Sequence, residues 1–225
     1  MQKAGGLLTN AVEASPILHA GLATLLLIAV AWVVSRRYRE DSTLPAEKTF
    51  SPSNIMEMAV RGLLLFMESI MGPEARRFVP LIGTTALFIL FSNLLGSIPG
   101  FDSPTANINT TLACAIVVVA ATHVIGVRAH GIKYIKHFMG PVWWLAWLIF
   151  PIELIGHIAR VMSLSVRLFG NMFGDHTVVA TFMMLVALGV PAIFMGFGVF
   201  VALIQTFVFT LLSIIYISGA IEEAH

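Results

Sequence analysis

Charge is what this 225-residue chain has least of. It holds 13 Lys+Arg and 12 Asp+Glu, so charged residues make up 11% of the sequence against 58% hydrophobic. Soluble domains carry about a quarter charged residues. The shortfall excludes a soluble globular domain, a disordered tail and a nucleic-acid binder, each of which needs more charge. Cysteine is equally scarce. A single one, Cys114, excludes an internal disulfide framework and any multi-cysteine metal site. Its apolar surroundings suit a small packing residue. The basic residues also thin out along the chain. After His137 only Arg160 and Arg167 remain, and both sit in its most apolar third.

What is present is apolar and arranged in runs of membrane-spanning length, enough for about five helical crossings. Residues 16–35 form the first run, followed by Arg36, Arg37 and Arg39. Basic residues after the run fit a stop-transfer helix better than a cleaved signal peptide. The positive-inside bias then places the N-terminus outside. A polar linker with Pro45 follows. Over residues 51–71 the charges Glu57, Arg61 and Glu68 share one narrow stripe. That pattern predicts an amphipathic helix at the cytoplasmic interface or under neighbouring helices, ended by Gly72-Pro73. Residues 78–97 predict the next crossing, residues 96–104 an outer loop free of Lys and Arg, and 107–127 the return. The following segment holds Arg128, Lys133 and Lys136 and belongs inside. His123, His130 and His137 recur every seven residues. That spacing rises about 10 Å, too far for one shared ion, so a solvated helix face is expected rather than a metal ladder.

From 142 to 221 the chain is almost continuously apolar. Gly174 as a helix stop and Asp175 as the next N-cap predict a break at 170–175. The second piece would then be nearly 70 Å long. Either Gly189-Val-Pro191 is a loop between crossings, or one long helix is tilted and kinked there. The parity of the charge rule favours two long tilted helices and a cytoplasmic C-terminus. The predicted fold class is therefore an all-α polytopic membrane protein ending in a hairpin of two long tilted helices. Its parts are 1–49 (outer segment, first crossing, linker), 50–77 (interfacial helix), 78–141 (hairpin with basic loop) and 142–225 (long hairpin).

At 100° per residue Glu153, His157, Arg160, Arg167 and Asn171 fall on one stripe about 80° wide, with Gly156 and Ser163 at its border. Gly198, Gln205, Tyr216 and Gly219 form a thinner stripe on the last helix. A central arginine in hydrocarbon costs about 2.5–3.5 kcal/mol on insertion scales. Arg160 either pairs with Glu153 or snorkels to the cytoplasmic side. Arg167 has no carboxylate at i±3 or i±4 and cannot shed its charge. Its partner is then a carboxylate elsewhere, on another chain, or Asp175 across the turn. Ser163, Ser165, Gly170 and Gly174 would let another helix approach closely.

The run Ser163-Leu-Ser-Val-Arg-Leu-Phe-Gly-Asn-Met172 resembles the signature of subunit a of the F-type ATP synthase, the membrane stator of a rotary motor. So does Leu203-Ile-Gln-Thr-Phe-Val-Phe-Thr-Leu-Leu-Ser-Ile-Ile-Tyr-Ile-Ser218. Leu95-Gly-Ser-Ile-Pro-Gly100 and Pro104-Thr-Ala-Asn-Ile-Asn-Thr-Thr-Leu112 look like its outer loop and the helix after it. The resemblance runs from about residue 78 to the end; the first 75 residues match in layout only. It implies a proton-conducting stator without a catalytic site or cofactor of its own. Its partners would be a ring of c subunits, b subunits or a peripheral stalk, membrane lipid and, indirectly, the F1 sector. The arginine matching Arg167 faces the ring carboxylates and separates two aqueous half-channels. Asn171 and Gln205 match polar neighbours of that arginine and the outer channel; Glu153 matches an acidic residue of the inner one. His176 stands where Glu is common, and an imidazole is a side chain able to pass protons.

Three positions depart from the family pattern: Asn107 where Asp is usual, Gly198 where some relatives have His, and Asp175 where a small residue is common. Asp175 and His176 are expected to supply the proton-handling groups missing at 107 and 198. A chloroplast relative would look similar, but the short N-terminus without a signal peptide suits a bacterial inner membrane, which is the expected location. H+ is the first expectation for the coupling ion and Na+ stays open, since that choice is written mainly in the c subunit. The competing reading is a stand-alone secondary transporter or channel. Against it, no internal repeat relates the halves. A membrane protease would need a motif such as Gly-x-Ser-x-Gly, which is absent.

Overall fold

A backbone inside a bilayer must satisfy its own N–H and C=O groups, which leaves the helix as the natural form for long apolar runs. The computed structural model describes residues 18–29, 31–32, 52–98, 103–131, 134, 144, 146–185 and 189–222. Among these, the longer elements are all α-helices. They are α1 (Leu18–Ala29), α2 (Pro52–Met71), α3 (Val79–Gly96), α4 (Ile108–His130), α5 (Ala146–Leu185) and α6 (Gly189–Glu222). The last four are long and apolar enough to cross a membrane, and α1 is the described part of the first apolar run. The protein is an all-α polytopic membrane protein. The linker, the tip of the outer loop, most of the basic loop including His137, and residues 223–225 lie outside the described residues.

The chain divides into two compact units, Met1–Pro104 and Thr105–His225. In the first, α2 is the amphipathic helix expected from the stripe of charges. Glu57 and Arg61 are exposed and Met67 is fully buried. Gly72 ends it with φ +67°, a conformation that only glycine adopts without strain. A 3-10 turn, Gly72–Arg77, follows. Glu68 Oε1 accepts from Arg76 Nε at 3.0 Å across this junction. The pair is open to solvent and contributes about 0–1 kcal/mol. Beyond α3, the Ser103 hydroxyl donates to Ser92 O at 3.0 Å and folds the chain back onto the helix end.

In the second unit α4 starts at Asn107, whose Oδ1 accepts from Asn109 N–H at 2.9 Å. Such an N-cap is worth about 1 kcal/mol. The helix stops at Gly131 (φ +58°), whose N–H donates to Val127 O at 2.7 Å. Helices α4, α5 and α6 pack against one another. Lipid removes the usual hydrophobic drive, so close packing and hydrogen bonds must hold them together. Leu164, Leu168 and Met172 form a buried i, i+4, i+8 stripe on α5; Ala202, Phe209 and Ile217 are buried on α6. Between α4 and α5 the Thr111 and Ser165 hydroxyls share a buried hydrogen bond of 3.0 Å. On the outside of α5, Trp147, Ile152, Ile155, Ile158, Met162 and Val166 are exposed, as lipid-facing positions should be.

The predicted break at 170–175 does not occur. Helix α5 runs through it for 40 residues, and α6 begins only at Gly189. Gly174 does not take positive φ, and Asp175 is an interior helical residue rather than an N-cap. Glycine as a helix stop reflects competition from water for the backbone; in an apolar stretch the internal hydrogen bonds win. At 1.5 Å per residue α5 is about 60 Å and α6 about 51 Å long. Both exceed the roughly 30 Å hydrocarbon layer. Such helices fit a bilayer only when strongly tilted or projecting beyond it.

Candidate functional site

The two polar stripes meet along the hairpin. Asn171 Nδ2 donates to Gln205 Oε1, joining α5 to α6. Gln205 is 2% exposed, and its Nε2 has no hydrogen-bond partner among the described residues. Toward the turn, Asp175 lies against Gly198. A Cβ at 198 would fall 2.5 Å from Asp175 Oδ2, so the carboxylate occupies the space that a side chain there would fill. Toward the other end, the Arg160 guanidinium stacks 4.7 Å over the Tyr216 ring. The pairs 175/198, 171/205 and 160/216 share one antiparallel register. Helical spacing of the polar positions produces it: 160, 167, 171 and 175 on α5 face one way, as do 198, 205 and 216 on α6.

Arg167 lies near the middle of α5 between the buried Leu164 and Leu168, yet it is itself exposed. Among the described residues no ion pair or hydrogen bond reaches it. The alternative pairing with Asp175 across a turn fails, because both lie on one helix, eight residues or about 12 Å apart along its axis. Around Arg167 the surface is low: Ser163, Gly170 and Asn171 are exposed, and a Cβ at Gly156, Gly170 or Gly174 would meet nothing within 4 Å. A permanent cation thus stands on an open strip of small residues.

The Glu153–Arg160 pair is likewise absent. Glu153 Oε1 lies 3.2 Å from His157 Nε2, one turn along the helix. Seven residues rise about 10 Å, whereas i,i+4 side chains are neighbours. His123 and His130 do not form a solvated face. His123 Nδ1 is 3.0 Å from the Tyr134 hydroxyl, and its ring meets His157 edge-on at 4.5 Å between centroids. His130 Nε2 is 2.8 Å from Ile221 O, tying α4 to the end of α6. Helix α4 is covered by two neighbours, so a seven-residue repeat on it is a packing seam. His176 is half-buried within α5, well before its end at Leu185 rather than just after a turn. The i,i+4 spacing of Glu153 and His157 is the signal for that pair, and Tyr216 stands on the thinner stripe of the last helix without its partner being marked; Tyr134 beside His123 carries no signal.

A profile of the ATP synthase A chain family matches residues 17–218. The chain belongs to that family. ATP synthase subunit a 1 of Syntrophotalea carbinolica is 54% identical over 209 residues, covering 93% of this chain and 86% of the relative. ATP synthase subunit a of Desulfosudis oleivorans is 58% identical over 173 residues, 76% of each chain. That of Trichlorobacter lovleyi is 49% identical over 213 residues, 95% of this chain and 90% of its own. The family expected from the Arg-Leu-Phe-Gly-Asn run is therefore the right one, and it extends over most of the N-terminal segment that matched only in layout. Membership makes this ATP synthase A chain a membrane component of an ATP synthase complex.

Proposed function

We propose that this A chain is the proton-conducting stator of a rotary ATP synthase, with Arg167 as the fixed cation facing the carboxylates of a c-subunit ring. The observation that carries this reading is the exposed Arg167, unpartnered among the described residues, in the middle of an apolar helix. In hydrocarbon such a charge is costly. A ring carboxylate arriving deprotonated would offset that cost, and a neutral one could leave again through lipid. The attraction has to be exchangeable, since a permanent ion pair would stop rotation. The positive charge also repels a proton passing straight between two half-channels.

Asn171 and Gln205 brace the arginine's neighbourhood from both helices. Asp175, seated at Gly198, and His176 handle protons in the outer half-channel; Glu153 serves the inner one. Asp175 filling the space above Gly198 supports its standing in for a side chain there. The b subunits or peripheral stalk hold the subunit against the ring, in a bacterial inner membrane, with the N-terminus outside and the C-terminus in the cytoplasm. H+ is the coupling ion in this reading. The test is Arg167→Ala in the assembled complex. It should abolish ATP synthesis and ATP-driven pumping while leaving copurification with the c-ring intact. Continued synthesis refutes the role.

A further inference from the structure

Arg160 is the obvious counter-ion for Glu153, and the fold sends it elsewhere, over the Tyr216 ring. Glu153 is left with His157 at 3.2 Å. The difference is chemical. A guanidinium cannot release its proton and would hold a carboxylate ionised. An imidazole takes and gives a proton near neutral pH. The two members also differ in access: the Glu153 side chain is 42% exposed and that of His157 13%. Both ring nitrogens of His157 are buried.

His157 is held from the side. His123 of α4 meets its ring edge-on at 4.5 Å, and the Tyr134 hydroxyl stands 3.0 Å from His123 Nδ1. The Tyr134 ring is lodged in the space that a Cβ at Gly126 would fill, so only glycine admits it. The titratable and charged groups here are Glu153, His157 and Arg160 from α5, His123 from α4, Tyr134 just after α4, and Tyr216 from α6.

We propose that Glu153 and His157 form a proton-exchange site on the ion path, with His123 and Tyr134 as positioning residues that fix the His157 ring. The inference rests on the proton-conducting reading above. In the step, the O–H bond of the Glu153 carboxyl breaks, its electron pair stays on the carboxylate, and the proton bonds to the Nε2 lone pair of His157. The reverse step returns it, and no oxidant or reductant takes part. The site lies ten residues from Arg167, about 15 Å toward the start of α5. A proton travelling between the arginine and that end would pass a buried acceptor and then a half-exposed carboxylate.

The test uses the assembled ATP synthase in inverted membrane vesicles, with ATP-driven acidification read by a pH dye and assembly by copurification. H157Q is expected to assemble, to lower pumping by roughly tenfold or more, and to regain part of it with added imidazole. H157F, which keeps a ring beside His123, is expected to lose pumping equally. Y134F should keep assembly and shift the dependence of pumping on the external pH, which is the cytoplasmic side of such vesicles. Unchanged pumping in H157Q, full pumping in H157F or an unmoved pH profile in Y134F overturns the proposal. Failure of both His157 variants to assemble assigns the pair to structure and overturns it too. Arg167→Ala in the same vesicles separates the two readings. Pumping retained there refutes the stator role itself, whereas abolished pumping beside a normal H157Q refutes the exchange site alone.

Discussion

Replacing Gly198 by alanine gives a perturbation whose size follows from three distances. The new Cβ would fall 2.5 Å from Asp175 Oδ2 and 3.1 Å from both its Cγ and Oδ1, where ordinary contact begins at 3.4 Å. The overlap with Oδ2 is about 0.9 Å, far up the repulsive wall, so the carboxylate must move or the hairpin must open. Turning Asp175 off its rotamer costs about 0.5–1.5 kcal/mol. Overpacking a rigid contact costs about 1–3 kcal/mol. Gly198→Ala is expected to destabilise the hairpin within that range. Asp175→Ala removes the obstructing atoms, so the double variant should recover most of the loss. Thermal dissociation of the purified complex for the four species forms a double-mutant cycle. Its expected coupling is about 1–2 kcal/mol. Proton pumping should behave differently, falling in both single variants and staying low in the double. A coupling of zero within error refutes the close contact, and full pumping in Asp175→Ala refutes its place on the proton path.

Asn107 caps α4 through one oxygen, so Asn107→Asp should leave thermal stability unchanged while Asn107→Ala lowers it by about 1 kcal/mol, read by thermal dissociation of the complex. Tyr216→Phe keeps the face beneath Arg160 and should preserve assembly and pumping. Tyr216→Ala removes a cation–π contact worth about 0.5–2 kcal/mol and should weaken retention of the subunit in detergent.

Membrane crossings and the amphipathic helix were legible because they depend on local quantities: run length, the position of Lys and Arg, and a stripe of three charges. Arg167 was legible as an oddity for the same reason, since its lack of an i±3 or i±4 carboxylate is written on one helix. The hairpin break falls beyond 170–175 because Gly174 and Asp175 are stop and cap signals for helices in water, and α5 runs through them in an apolar stretch. Partner choice lay beyond reach of the pattern. Whether Glu153 meets Arg160 or His157 depends on Tyr216, 56 positions further on, offering Arg160 a ring. Whether the histidines of α4 face water depends on which helices cover it. Gly126 looked like any glycine until Tyr134 came to rest on it.

The common register of 175/198, 171/205 and 160/216 has a mechanical consequence. An attraction between unit charges 4 Å apart, at an effective dielectric of 20, is about 4 kcal/mol and changes by roughly 1 kcal/mol per Å. In the proposed role a moving ring pulls sideways on Arg167 with a force of that order at every step. Three cross-helix contacts, two on the turn side of the arginine and one on the other, would spread that load. Turning α5 about its axis would have to break all three together, so the hairpin would act as a torsion-resistant strut and the pull would pass to whatever anchors the subunit.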